Sequence, residues 1–158
     1  LYTLAAPVIE YFHDFNQKSH GWGPFDPGGS AHGSLTVSGR KGGRTMRLSQ
    51  VKEILHATVL CGEDRLEDEI RSVCGSDFLS DVLAYVHEEN LLLTGMVNPQ
   101  VVRTAEMTDI KCIVFVRGKR PGEDILKLAR DRGMVIMTTG ERMYSACGLL
   151  YTHGLPGS

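Results

Sequence analysis

Leu91-Leu92-Leu93-Thr94-Gly95-Met96-Val97-Asn98-Pro99-Gln100-Val101-Val102 is the stretch that decides the fold. Its apolar run is unbroken rather than alternating, which marks a strand covered on both faces. Gly95 ends the run, and Pro99 suits a first helical turn because the N–H it lacks has no intrahelical partner there. The stretch therefore predicts a buried strand over Leu91–Thr94, a loop, and a helix over Gln100–Thr108.

The same unit recurs twice downstream. Cys112–Val116 leads through Arg117-Gly118-Lys119-Arg120 into a predicted helix over Pro121–Arg132, with Pro121 again in the first turn. Met134–Thr138 leads through Thr139-Gly140 into a helix over Glu141–His153. Buried strands joined by helices are normally parallel. The expected class is α/β, a three-layer fold with a mostly parallel sheet flanked by helices.

Upstream, Ser49 is placed to cap a short helix carrying Val51, Ile54 and Leu55, followed by a strand over Ala57–Cys61 and a turn at Gly62-Glu63-Asp64. Glu69–Cys74 reads as one extended segment ending at Gly75. Asp77 is placed to cap a helix whose apolar face is Phe78, Val82, Leu83, Tyr85 and Val86, ending near Glu89-Asn90. The domain so defined runs from residue 46 to residue 155.

Residues 1–45 differ in character. Leu1–Gln17 is apolar but is interrupted at Pro7, and from residue 19 the chain is rich in glycine, a composition that resists regular structure. This Gly-rich N-terminal extension reads as a flexible linker or a vestige of an upstream reading frame. A phosphate-gripping loop is the rival reading, but Gly39-Arg40-Lys41-Gly42-Gly43 lacks the Lys-Ser/Thr ending such loops require. Leu1–Phe12 also lacks a basic leader and a cleavage pattern, so no secretory signal is expected.

Composition excludes several classes. The 158 residues carry a net charge of −2, with no positive field to hold a polyanion, so nucleic acid is not an expected partner. No apolar run approaches the ~20 residues of a membrane span. Cys61, Cys74, Cys112 and Cys147 match no paired metal-ligand or redox spacing and are expected to be reduced thiols in a cytoplasmic protein. Cys74 and Cys147 are the thiols to weigh for redox sensing, and Cys74 lies near a helix start, a position that lowers a thiolate pKa. Glu63, Asp64, Glu67, Asp68 and Glu69 form a solvated acidic turn without calcium-loop spacing. His56, His87 and His153 have no carboxylate or cysteine at a telling spacing, and no nucleophile and base can be assembled; neither catalysis, metal nor cofactor is expected.

Ligands of open parallel sheets gather at the carboxyl ends of the strands. The loops predicted there offer Ser76, Asp77, Thr94, Asn98, Thr138 and Thr139 as polar groups, with Arg117, Lys119, Arg120 and Arg142 as cations near helix starts. Helix N-termini beside cations favour anions. A small phosphate-bearing ligand is the expectation, with Ser76, Asp77, Thr94, Asn98, Arg117, Lys119, Thr138 and Thr139 as its candidate site. The alternative is that these groups only cap helices and solvate turns. The last helix combines small and large apolar residues from Met143 to Leu150, a face suited to packing on the sheet or on a second copy.

Several segments together carry a resemblance: Met46-Arg47-Leu48-Ser49-Gln50-Val51-Lys52-Glu53-Ile54-Leu55, Cys74-Gly75-Ser76-Asp77, Leu93-Thr94-Gly95 with Asn98-Pro99-Gln100-Val101, Ile113-Val114-Phe115-Val116-Arg117-Gly118-Lys119, and Ala146-Cys147-Gly148-Leu149-Leu150. The chain resembles the small stand-alone members of the DRTGG-domain family found near iron-only hydrogenase genes in anaerobic bacteria. The five-letter signature itself is absent; Leu93-Thr94-Gly95 and Val116-Arg117-Gly118 lie near where its pieces would fall. In that family the domain accompanies phosphate acetyltransferases and CBS-containing pyrophosphatases, where it contributes to a dimer and a nucleotide-binding regulatory region. The resemblance implies regulation rather than catalysis: a homodimer sensing a phosphate-bearing ligand, such as an adenine nucleotide, and signalling to a hydrogenase or kinase partner. The alternative is a ligand-free accessory protein acting by docking.

Overall fold

The computed structural model describes residues 45–85 and 90–158. The expectations for the Gly-rich extension, for Val86 and for His87 through Glu89 lie outside the described residues.

The chain begins with β1 (Met46–Arg47), α1 (Leu48–Ile54) and β2 (Thr58–Cys61), then a 3-10 turn at Glu63–Arg65, β3 (Glu69–Ile70) and β4 (Ser72–Gly75). It continues through α2 (Leu79–Tyr85), β5 (Asn90–Thr94), α3 (Pro99–Met107), β6 (Cys112–Phe115), α4 (Glu123–Asp131), β7 (Val135–Thr138) and α5 (Met143–Thr152). The main sheet has the order β2-β7-β6-β5-β4. Strands β4 through β7 are parallel, and β2 closes one edge antiparallel to β7 with a bulge between Val59 and Cys61. The mostly parallel α/β sheet is thus present.

Side chains alternate between two cores, as strand geometry dictates. Leu91, Leu93, Val114, Val135 and Met137 face α1 and α5, packing with Leu48, Val51, Ala146 and Leu150. Leu92, Ile113, Phe115 and Ile136 face α2, α3 and α4, meeting Val82, Val101, Ala105, Ile125 and Ala129. The three crossover helices therefore share one face, while α1 and α5 cover the other. Burial on both faces is why these strands read as continuous apolar runs.

Some local expectations change. Glu69–Cys74 is not one strand: β3 pairs antiparallel with β1 in a separate small sheet, whereas β4 joins the main sheet. Ser49 lies inside α1, and Arg47 occupies the cap position, its N–H donating to the Gln50 side chain at 3.0 Å. Pro99 opens α3 as expected, with Asn98 as cap, but α4 is capped by Gly122, which leaves Pro121 one residue outside. The acidic turn is partly paired, Asp68 with Arg65 at 2.6 Å and Glu67 with Arg47 at 2.9 Å. Among the described residues no helix is long and apolar enough to cross a membrane.

Candidate functional site

The strand register sets the carboxyl edge of the sheet. Gly75 lies opposite Leu93, Thr94 opposite Phe115, and Phe115 opposite Thr138, so the four loops that follow open on one edge.

At the centre of this edge stands Asp77. It does not cap α2, because stronger donors hold its carboxylate. Oδ1 accepts from the Gly95 N–H at 2.6 Å and from the Thr94 hydroxyl at 3.1 Å, and Oδ2 accepts from the Arg117 guanidinium at 2.9 Å. Burial alone would raise the carboxyl pKa, but the bonds from Gly95, Arg117 and Thr94, with the Arg117 charge, outweigh it and hold Asp77 below its ordinary value. Thr94 is fully buried, and its hydroxyl also accepts from the Met96 N–H at 3.1 Å.

Arg117 reaches this seat by an unusual backbone. Its φ is +62°, in the left-handed region that costs a non-glycine residue about 1–2 kcal/mol. The conformation is held from outside: the Arg117 N–H donates to the Glu141 carbonyl at 2.7 Å, and the Gly118 N–H to the Thr139 carbonyl at 2.8 Å. The guanidinium then lies over Gly95, where any Cβ would overlap it. Here glycine serves close approach rather than a special turn.

The other candidate residues take different parts. Ser76 lies beside Asp77, its Oγ accepting from the Phe78 N–H at 3.0 Å ahead of α2. The Asn98 side chain caps α3, accepting from the Gln100 N–H at 2.9 Å. Thr138 and Thr139 are buried tethers: Thr138 donates to the Lys119 carbonyl at 2.7 Å and Thr139 to the Leu55 carbonyl at 2.6 Å. Lys119 and Arg120 are exposed, and no ion pair ties either among the described residues. The structure thus joins Asp77, Thr94 and Arg117 in one cluster with Ser76 adjacent, and leaves Lys119 as an open cation beyond it. Gly95 was missed in the sequence because its part depends on a side chain that arrives from 22 positions away.

Asp77→Asn tests the cluster through pH. A carboxyl that titrates lower when folded contributes stability above its unfolded value of about 3.8 and loses it as pH falls through its folded value. The variant is expected to be less stable at pH 7 by roughly 1 kcal/mol, at the low end for a charge-assisted bond because the pair is half-exposed. Its stability should fall less steeply than wild type below about pH 4. Urea unfolding at stepped pH reads both effects, and parallel curves would show that Asp77 is not held as described.

All four thiols are free, and burial pushes each one up, Cys74 included. Cys74 therefore has no lowered pKa, since burial outweighs its hydrogen bond with Ser158. No group of three or more metal-ligating side chains occurs among the described residues. A separate groove of about 870 Å³ runs along α5 beside β4, lined by Gly75, Glu141, Tyr144, Cys147, Gly148 and Tyr151 among others.

The architecture and its polar edge define a small α/β domain with a cluster of charged and hydroxyl groups at the carboxyl ends of its parallel strands. Residues 50–152 match the DRTGG domain, and the chain belongs to the DRTGG-domain family. It is similar in fold to the crystal structure of the CBS and DRTGG domains of the regulatory region of Clostridium perfringens pyrophosphatase, complexed with the activator diadenosine tetraphosphate. The TM-score is 0.56 at 16% identity, over 66% of this chain and 45% of that one. This chain therefore spans less than half of that regulatory region. No curated protein matches it in sequence.

Proposed function

We propose that this protein is a regulatory module that senses a small phosphate-bearing ligand, an adenine nucleotide in the first instance, and passes that state to a partner as a homodimer. The observation that carries the reading is the seat formed by the Gly95 N–H, the Thr94 hydroxyl and the Arg117 guanidinium around the Asp77 carboxylate. These donors converge on an anion at a sheet edge where Lys119 and Arg120 add exposed positive charge. A phosphate bound there would share Arg117 with Asp77, which couples ligand to the Arg117 loop and, through Glu141, to the start of α5. The nucleotide activator of the similar pyrophosphatase region supports the ligand class.

In this reading the module acts by regulation rather than turnover, in the cytoplasm, where its four unpaired thiols suit a reducing compartment. Its partner is a hydrogenase or a kinase. A ligand-free docking protein is the second reading, favoured by Asp77 already occupying the seat.

The test is thermal unfolding against mono- and dinucleotides, diadenosine tetraphosphate included. A ligand that binds only the folded state stabilises it by about 2.7 kcal/mol at a hundred times its Kd. Arg117→Ala is expected to weaken that ligand at least tenfold, since bonds to charged groups contribute about 1.5–3 kcal/mol. Unchanged affinity in the variant removes Arg117 from the site, and no shift with any nucleotide selects the docking reading.

A further inference from the structure

The Asp77 carboxylate already uses the donors of the anion seat. The Thr94 hydroxyl has a single hydrogen to give, and it goes to Asp77 Oδ1 at 3.1 Å, beside the Gly95 N–H at 2.6 Å. Neither donor is left for a second anion. Arg117 keeps further N–H groups beyond the one that reaches Asp77 Oδ2 at 2.9 Å, but a phosphate on those stands against the carboxylate as like charge against like. The Asp77 and Arg117 side chains are 39% and 44% exposed, so a solute anion can reach the pair from outside.

We infer that Asp77 is a tethered stand-in for the ligand: a phosphate group binds by displacing its carboxylate from Gly95, Thr94 and Arg117, and the displacement frees the turn at the head of α2. The inference rests on the phosphate-sensing reading above and names how that seat is regulated. Asp77 is placed to leave, because it lies between β4 and α2, outside both elements. The next side chain, Phe78, is 70% exposed and does little to anchor the turn in the core. The donors stay behind, since Thr94 ends β5 and is fully buried inside the sheet.

Movement of the turn reaches α2 directly. The Phe78 carbonyl accepts from the Asp81 and Val82 N–H groups at 3.2 and 3.3 Å, closing the first turn of the helix. A helix as short as Leu79–Tyr85 is held by tertiary packing rather than by its own propensity, and Val82 is its fully buried side chain. Releasing Asp77 therefore loosens α2 while the sheet stays fixed. The same geometry sets a sign: removing a competitor tightens binding, whereas removing a group that only orients Arg117 weakens it.

The experiment is isothermal titration of ATP, diadenosine tetraphosphate and inorganic phosphate into the whole chain, as wild type, Asp77→Ala, Asp77→Asn and Asp81→Asn. Asp77→Ala is expected to bind about tenfold more tightly than wild type, the competition of one half-exposed charge-assisted bond. Asp77→Asn should gain less, because its carbonyl oxygen still accepts from Gly95 and Thr94. Asp81→Asn removes an exposed charge from α2 and should change nothing. Hydrogen exchange of wild type supplies a readout that needs no variant: the Asp81 and Val82 amides should exchange faster at saturating ligand. Binding by Asp77→Ala alone would support the inference, as a seat masked in wild type. If wild type binds and Asp77→Ala binds equally or more weakly, the inference fails while the sensing reading stands. An equal gain in Asp81→Asn, or unchanged exchange in α2, also overturns it. No binding of any probe by wild type or by either Asp77 variant overturns both.

Discussion

Phe115→Ala is expected to destabilise the domain by about 3–5 kcal/mol. Phe115 is fully buried at the end of β6, the middle strand of the sheet, and packs on the side covered by α2, α3 and α4. Strands pair on both sides of β6, so the backbone has little freedom to collapse into the space left by the ring. The lost transfer energy and the residual cavity therefore add. Against a typical total of ~5–15 kcal/mol, this is a large share of the stability. Urea unfolding should show a much lower midpoint at an unchanged slope. Met107→Ala, at a residue 71% exposed, should shift it by no more than ~0.5 kcal/mol. A loss near 1 kcal/mol at Phe115 would mean that the ring does not sit in a close-packed core.

Gly95→Ala is expected to have the largest effect on ligand response while changing no charge. The new methyl overlaps the Arg117 guanidinium, and the side chain is the part that yields, since the Gly95 N–H is anchored on Asp77 and the Thr94 carbonyl accepts from Val116. Arg117 swings into solvent, its pair with Asp77 opens, and the anion seat loses its cation. Ligand affinity should fall at least tenfold, as for Arg117→Ala, because a charge-assisted bond contributes about 1.5–3 kcal/mol. The stability cost should stay near 1 kcal/mol, since the pair is half-exposed. Isothermal titration of the best nucleotide, alongside unfolding, separates the two effects. Wild-type affinity in Gly95→Ala would show that ligand recognition does not pass through the seated guanidinium.

Together these variants separate scaffold from site. Phe115 tests whether the sheet is packed as described, whereas Gly95 and Arg117 test a polar cluster on its rim. The left-handed backbone at Arg117 links the two, because it is sustained by carbonyls of Thr139 and Glu141 in the neighbouring loop. Strain of this kind persists only where surrounding structure over-determines it.

By itself the sequence determined the layered α/β architecture. Strands buried on both faces must be continuously apolar, and Leu91–Leu93, Cys112–Val116 and Met134–Met137 are; Asn98-Pro99 marks a helix start by local chemistry alone. Only the tertiary structure decided that β2 runs antiparallel, that residues 69–75 split between two sheets, and that Asp77 is seated rather than capping. It also decided that Thr138 and Thr139 serve as buried tethers. Each of these depends on partners 17 to 84 positions away, Thr94 for Asp77 and Leu55 for Thr139. Periodicity and capping report the nearest few residues, whereas the geometry of a polar cluster is set by which distant segments the sheet brings side by side.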